Sequence, residues 1–242
     1  MKKLILMLSF AIPFASLAQK EPSKTVNKAD TSISKDPLNS SREFWVIHSS
    51  KGTIKEQGFL VNGKKDGVWR EYSELNGEVV KLSEYKEGIL NGASITFNNS
   101  GTIQTDETYI NNKKNGQRTS FGNFGGRMKL FEFYKEDVLE GIRKTFYDDG
   151  KIQEEGTYKN GLRNGITKWF FQNGNPSMEY NYENGNLEGE AKVYDDTGGI
   201  KQSGLYKNNN EEGEWKEYKD SLLVKKIIYR QGQILREIPV KK

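Results

Sequence analysis

Short stretches in which apolar and polar residues alternate follow one another along the chain from Glu43 onward, and Gly, Asn or Asp interrupts each of them. Alternation of period two sends successive side chains to opposite sides of an extended backbone, so each stretch predicts a strand. Around Gly165, for example, Ile166, Lys168 and Phe170 project one way and Thr167, Trp169 and Phe171 the other. No window keeps apolar residues at i, i+3, i+4 and i+7 over three turns, so no helix is predicted.

The interruptions are periodic. Gly67, Gly92, Gly116, Gly141, Gly165, Gly189 and Gly213 succeed one another every 24 or 25 residues. Five residues after each of these marker glycines stands an aromatic ring: Tyr72, Phe97, Phe121, Phe146, Phe170, Tyr194 and Tyr218. Seven residues before them, and so first in each unit, runs another column of Leu60, Tyr85, Tyr109, Tyr134, Tyr158, Tyr182 and Tyr206, which makes the ring after the glycine the second column. Four residues before them come Gly63, Gly88, Asn112, Asp137, Gly161, Gly185 and Asn209, residue types that tolerate positive φ. Each unit therefore predicts a β-hairpin, with a strand, a tight turn and a second strand carrying the marker glycine. A second turn falls near nine residues past the marker, as at Asn99-Ser100-Gly101 and Asp148-Asp149-Gly150. Asn-Gly dipeptides beginning at Asn62, Asn76, Asn91, Asn115, Asn160, Asn164, Asn173 and Asn184 add the strongest short-range hairpin signal.

The predicted architecture is all-β: an elongated single-layer antiparallel β-meander of about fifteen strands, built from tandem hairpin repeats of about 24 residues. Seven full repeats fill residues 43–234, with Glu43 to Gly58 and Ile227 to Ile234 as capping half-repeats. The marker glycines are expected to let a neighbouring ring or backbone approach closely, and the aromatic columns to stack as ladders that form a shallow core.

The stretch Tyr158-Lys159-Asn160-Gly161-Leu162-Arg163-Asn164-Gly165-Ile166-Thr167-Lys168-Trp169-Phe170, and likewise Tyr182 to Tyr194, resembles the bacterial variant of the MORN (membrane occupation and recognition nexus) repeat, the kind found in YwqK-like, antitoxin-type proteins. The resemblance covers about Glu43 to Ile234. It implies an elongated β-meander used for protein association or, in some eukaryotic relatives, lipid contact, and it brings no catalytic motif. The sequence departs from that pattern where Asn112, Asp137 and Asn209 replace turn glycines and where Leu222 replaces the second-turn glycine of the last repeat.

Composition narrows the chemistry. The chain has 242 residues with no Cys and one His, so disulfides, thiolate nucleophiles and His-cluster metal sites are excluded, and His48 reads as a plain surface or turn-flanking residue. Its 12 Tyr, 12 Phe and 4 Trp require an ordered arrangement, while 34% hydrophobic residues suit a thin one. Residues 1–18 read as a cleavable signal peptide: Lys2 and Lys3, an apolar run from Leu4 to Phe14, then Ser16-Leu17-Ala18. That run is too short to span a bilayer, so export to the periplasm or the extracellular space is expected, with no transmembrane segment. Residues 19–42 read as a flexible linker and 235–242 as a basic C-terminal tail able to touch an anionic surface weakly. The formal net charge of +4 is concentrated in these flanks, which leaves the repeats mildly acidic and argues against nucleic acid as a partner.

The expected function is an exported, non-enzymatic scaffold for protein–protein interaction, with no catalytic residue, metal or cofactor. A YwqK-like inhibitor of a partner protein and an envelope module binding carbohydrate or membrane surface are the alternatives. A hydrolase would need paired carboxylates facing across a cleft. The acidic second turns at Asp148-Asp149 and Asp195-Asp196 invite a calcium reading, which turn chemistry explains without a metal. Trp69, Trp169 and Trp215 share one face by parity, opposite the second aromatic column. They are the candidate binding residues, either as anchors for a partner or as a widening of the ladder core.

Overall fold

A computed structural model describes residues 30–123 and 125–240. The expected leader lies outside them, as does the linker up to residue 29. Nineteen strands follow in chain order: β1 (Thr31–Asp36), β2 (Asn39–His48), β3 (Ile54–Val61), β4 (Lys64–Tyr72), β5 (Val79–Lys86), β6 (Ile89–Phe97), β7 (Ile103–Ile110), β8 (Lys113–Phe121), β9 (Met128–Lys135), β10 (Val138–Phe146), β11 (Ile152–Lys159), β12 (Leu162–Arg163), β13 (Gly165–Phe170), β14 (Pro176–Glu183), β15 (Asn186–Tyr194), β16 (Ile200–Lys207), β17 (Asn210–Lys219), β18 (Leu222–Arg230) and β19 (Gln233–Pro239). Each pairs antiparallel with its neighbour in sequence to form one sheet, open between β1 and β19, and no helix is found among the described residues. β12 and β13 share a rung, both pairing with β11.

The meander is longer than expected because both flanks join it. Residues 31–36 of the expected linker form β1 and pair with β2, which corrects the flexible assignment for that part. The expected tail enters β19, whose Arg236, Glu237 and Ile238 pair with β18, so the C-terminal cap is a whole hairpin. Leu222 finds its explanation here: the last repeat closes its second turn in two residues, Asp220 and Ser221, both at positive φ.

The first turn of each hairpin also holds two residues at positive φ, Asn160 and Gly161 in one repeat and Asn111 and Asn112 in another. That is the backbone of a type I′ turn, whose twist suits adjoining strands. Where glycine is missing, the replacement makes a new bond. The Oδ1 atoms of Asn112, Asp137 and Asn209 accept the amides of Leu90, Lys114 and Leu187 in the preceding repeat at 2.8, 2.8 and 2.7 Å. Asn209→Gly would relieve the backbone but lose that bond, and is expected to lower stability by about 1 kcal/mol in a urea melt.

The marker glycines are needed first for backbone conformation, and close approach by a neighbouring side chain is added at some of them. All seven have positive φ, from 69° at Gly67 to 126° at Gly92, and nothing lies within 4 Å of the Cβ position at Gly67 or Gly213. Register breaks beside them, as between Leu139 and Arg143, so they form bulges, and at Gly92, Gly165 and Gly189 a side chain of the preceding strand, Glu84, Thr157 or Asn181, also closes on the position a Cβ would take. Asn91, Asn115 and Asn164 precede these bulges and are not hairpin turns.

The second aromatic column is structural in a specific way. Each ring stands across the second turn from an apolar residue: Phe97 from Ile103, Phe121 from Met128, Phe146 from Ile152 and Tyr194 from Ile200. Successive rings of the first column lie two strands apart, about 10 Å, too far to stack on each other. The residue two before each marker glycine fills the interval instead: Lys65, Leu90, Lys114, Leu139, Arg163, Leu187 and Glu211.

Candidate functional site

The two faces of the sheet are unequal. On one, which we call inner, a middle row crosses the sheet through Gly58, Trp69, Ser83, Ser94, Glu107, Arg118, Glu132, Arg143, Gly156, Thr167, Tyr180, Ala191, Gly204, Trp215 and Ile227. Most of these residues are buried.

Parity places Trp69, Trp169 and Trp215 on this inner face, and that face is the core. Trp69 and Trp215 are each 2% exposed, which corrects the reading of them as surface anchors, while Trp169 is half-buried against Tyr180. The physical reason is a glycine on the preceding strand. Trp69 lies over Gly58, where a Cβ would come within 2.5 Å of the indole, and Trp215 lies still closer over Gly204. Each indole N–H donates to a backbone carbonyl at the register break, Phe59 at 2.9 Å and Leu205 at 3.0 Å. A single-layer sheet can thus bury a Trp by letting it lie flat on bare backbone.

In the middle of the sheet the row changes from rings to charge. Glu107 accepts from Arg118 Nε at 2.8 Å and pairs with Lys114 at 3.0 Å. Arg118 also donates to Glu132 at 2.8 Å, and Arg143 bridges Glu132 and Glu154 at 3.3 and 3.4 Å. Arg163 closes the series on Glu154 at 2.7 Å. Burial alone would raise the Glu107 carboxyl, but hydrogen bonds from Lys114, Tyr109 and Arg118 outweigh it and hold the group below its usual value. Tyr109 is pushed up to about 12 by burial and by its bond to Glu107. Acid stands beside base throughout, not acid opposite acid. Sequence reasoning missed this ladder. The signal was present in acids nine residues before the third and fourth marker glycines and arginines two residues after them.

The inner-face cations also meet the tyrosine column. Lys65 Nζ is 4.1 Å over Trp69 and 5.4 Å over Tyr85, Lys114 is 5.3 Å over Tyr134, and Arg163 lies 5.3 to 5.6 Å from Tyr158, Trp169 and Tyr182. The last stretch is ring against ring, running Trp169, Tyr180, Tyr206, Trp215 and Tyr229 edge to face.

The outer face is the exposed one. Val138, Ile142, Leu162 and Ile166 are 43, 40, 50 and 50% exposed on adjoining repeats. Below them Lys144 pairs with Glu155 at 3.1 Å and Lys168 with Glu179 at 3.0 Å. Near Gly204 a depression of about 290 Å³ is lined by Lys192, Ser203, Leu205, Lys216, Glu190 and Glu214. Its two carboxylates pair with lysines, Glu190 with Lys192 at 3.5 Å and Glu214 with Lys226 at 3.1 Å. Among the described residues no group of three His, Asp or Glu could hold a metal. Asp195 in the second turn instead accepts from Thr197 and Gly199 within its own loop. No helix among these residues is long and apolar enough to cross a membrane.

The sequence model of the MORN repeat variant matches three tandem segments, residues 139–160, 163–184 and 187–208. No curated protein matches the chain. Among solved structures, the crystal structure of a porin-like protein from Bacteroides uniformis is 11% identical over 81% of this chain and 87% of that one, with a TM-score of 0.21. Similarity at that level carries no argument.

Proposed function

We propose that this chain, a run of tandem MORN-variant repeats, is an exported, non-enzymatic scaffold that binds another protein through its outer face. The observation that carries the reading is the cluster of Val138, Ile142, Leu162 and Ile166, aliphatic side chains left 40 to 50% exposed together on adjoining repeats of one face. Recognition by a repeat protein uses what its own packing leaves exposed, and here Val138 and Leu162 rest beside the turn glycines Gly161 and Gly185 of the next repeat while much of each side chain stays in solvent. Export follows from the leader read in residues 1–18 and places the partner in the periplasm or outside the cell. A YwqK-like inhibitor is the narrower form of the same reading, in which the partner is an enzyme or toxin.

The test is affinity capture from envelope extract with the wild type and an Ile142→Ser, Leu162→Ser, Ile166→Ser variant. All three positions face solvent, so circular dichroism should be unchanged. Captured partners should fall about tenfold or more if these side chains form the centre of the interface. Full retention of every partner by the folded variant removes the outer face from consideration. Capture of lipid vesicles instead, declining with salt, turns the reading to a membrane surface.

A further inference from the structure

The seventh repeat breaks a rule that three others keep. In the first, third and fifth repeats, the residue two before the marker glycine is a cation set against the rings of the tyrosine column: Lys65, Lys114 and Arg163. Each of these cations is neutralised by a carboxylate from the preceding strand, Glu56 at 2.7 Å, Glu107 at 3.0 Å and Glu154 at 2.7 Å. In the seventh repeat the equivalent residue is Glu211. The rings are all present, with Tyr206 and Tyr229 standing where Tyr158 and Tyr182 stand around Arg163, and Trp215 between them. The carboxylate is present too, but on the wrong residue, and among the described residues no cation pairs with it. The preceding strand offers Gln202 and Gly204 in place of an acid.

We infer that the Tyr206–Glu211–Tyr229 slot receives an arginine side chain from a partner protein. Its own repeats supply the precedent for the fit: Arg163 occupies the corresponding slot with its guanidinium 5.4 Å from the Tyr158 ring and 5.6 Å from Tyr182. An incoming guanidinium would find the same two ring faces and, in Glu211, the carboxylate that Glu154 supplies to Arg163. Trp215 is buried and forms the floor, whereas Tyr206, Glu211 and Tyr229 are only half-buried and reachable. Glu211 accepts the Tyr206 hydroxyl at a long 3.4 Å but meets no cation among the described residues, and its charge is felt by the rings. Burial and then Glu211 push Tyr206 up to about 12, and Glu211 acts in the same direction on Tyr180 and Tyr229. An external cation would relieve this field. The inference rests on the scaffold reading and gives it a second contact point on the inner face, near the C-terminal end of the sheet.

The test uses the purified full chain and two short acetylated, amidated Gly-Ser peptides, one with a central arginine and one with citrulline, its neutral isostere. Aromatic-ring NMR shifts of Tyr206 and Tyr229 are followed at low salt. The arginine peptide is expected to shift both rings saturably and the citrulline peptide to leave them unmoved. Glu211→Gln should weaken binding about tenfold, the loss of one charge-assisted contact. Glu211→Arg should abolish it, because the variant fills its own slot, and should melt no lower than the wild type. Equal response to both peptides, no response to either, or undiminished binding by Glu211→Arg would overturn the assignment. Those results would leave the envelope capture experiment untouched, so failure here and failure of the scaffold reading remain distinguishable.

Discussion

Replacing Glu132 by Ala is expected to destabilise the protein by about 3 kcal/mol, read as a lower urea midpoint at unchanged slope. Its side chain is 6% exposed, and it is the acid shared by Arg118 and Arg143, with the Tyr134 hydroxyl donating to it at 2.9 Å. Without it two guanidiniums face each other across a gap in the row. Their own exposure, 23 and 25%, lets water reach them and keeps the cost at the lower end for a broken buried pair. Replacing Arg118, Glu132 and Arg143 together by apolar residues of similar size should recover most of the loss, since the charges were costly to bury at the outset. Acid should probe the same ladder through Glu107. Its folded pKa lies below the ordinary 4.5, so its contribution is present above about pH 4.5 and is lost as pH falls through the depressed folded value. Glu107→Gln should therefore be less stable near neutrality and show a shallower decline in that acid range.

Trp215→Ala should cost about 3 to 4 kcal/mol, because the indole is the largest member of the C-terminal core with Ala191 and Ile227 and lies directly on Gly204. Gly204→Ala tests the same contact from below. The backbone at Gly204 is not in the left-handed region, so an added methyl meets only a steric obstacle, but that obstacle is the indole itself. About 2 kcal/mol is expected, with the tryptophan fluorescence displaced toward that of a solvated ring. The double variant should lose less than the two singles combined, since a methyl cannot clash with a ring already removed. Gly213→Ala provides the contrast. Nothing obstructs a methyl there, yet φ is +71°, so its cost of about 1 to 2 kcal/mol should be the same whether or not Trp215 is present.

Much of the architecture can be read from the chain because it is local. Hairpin turns need positive φ, strands need alternation, and both are written within a window of about 24 residues that recurs seven times. Repetition then fixes the topology, since each hairpin can only pair with the next. That is why the all-β meander, the turn positions and the shared face of Trp69, Trp169 and Trp215 all follow from spacing alone. One departure lies at the margin of the pattern. The strand Thr31–Asp36 has neither an aromatic nor a marker glycine, and it is held in the sheet by pairing with Asn39–His48 rather than by its own composition.

What spacing could not supply is which face is the core and what each glycine is for. Period-two alternation separates two faces but does not rank them when both carry rings and charges. The ranking comes from contacts between strands: Gly58 beneath Trp69, Gly204 beneath Trp215, and Glu132 between Arg118 and Arg143. These partners sit 11 to 14 residues apart and become neighbours only when bulges at the marker glycines set the register. One sequence signal, glycine, therefore had two meanings, clearance at Gly58 and Gly204 and positive φ at Gly67 and Gly213. Backbone conformation and cross-strand packing separate the two, and both are properties of the assembled sheet.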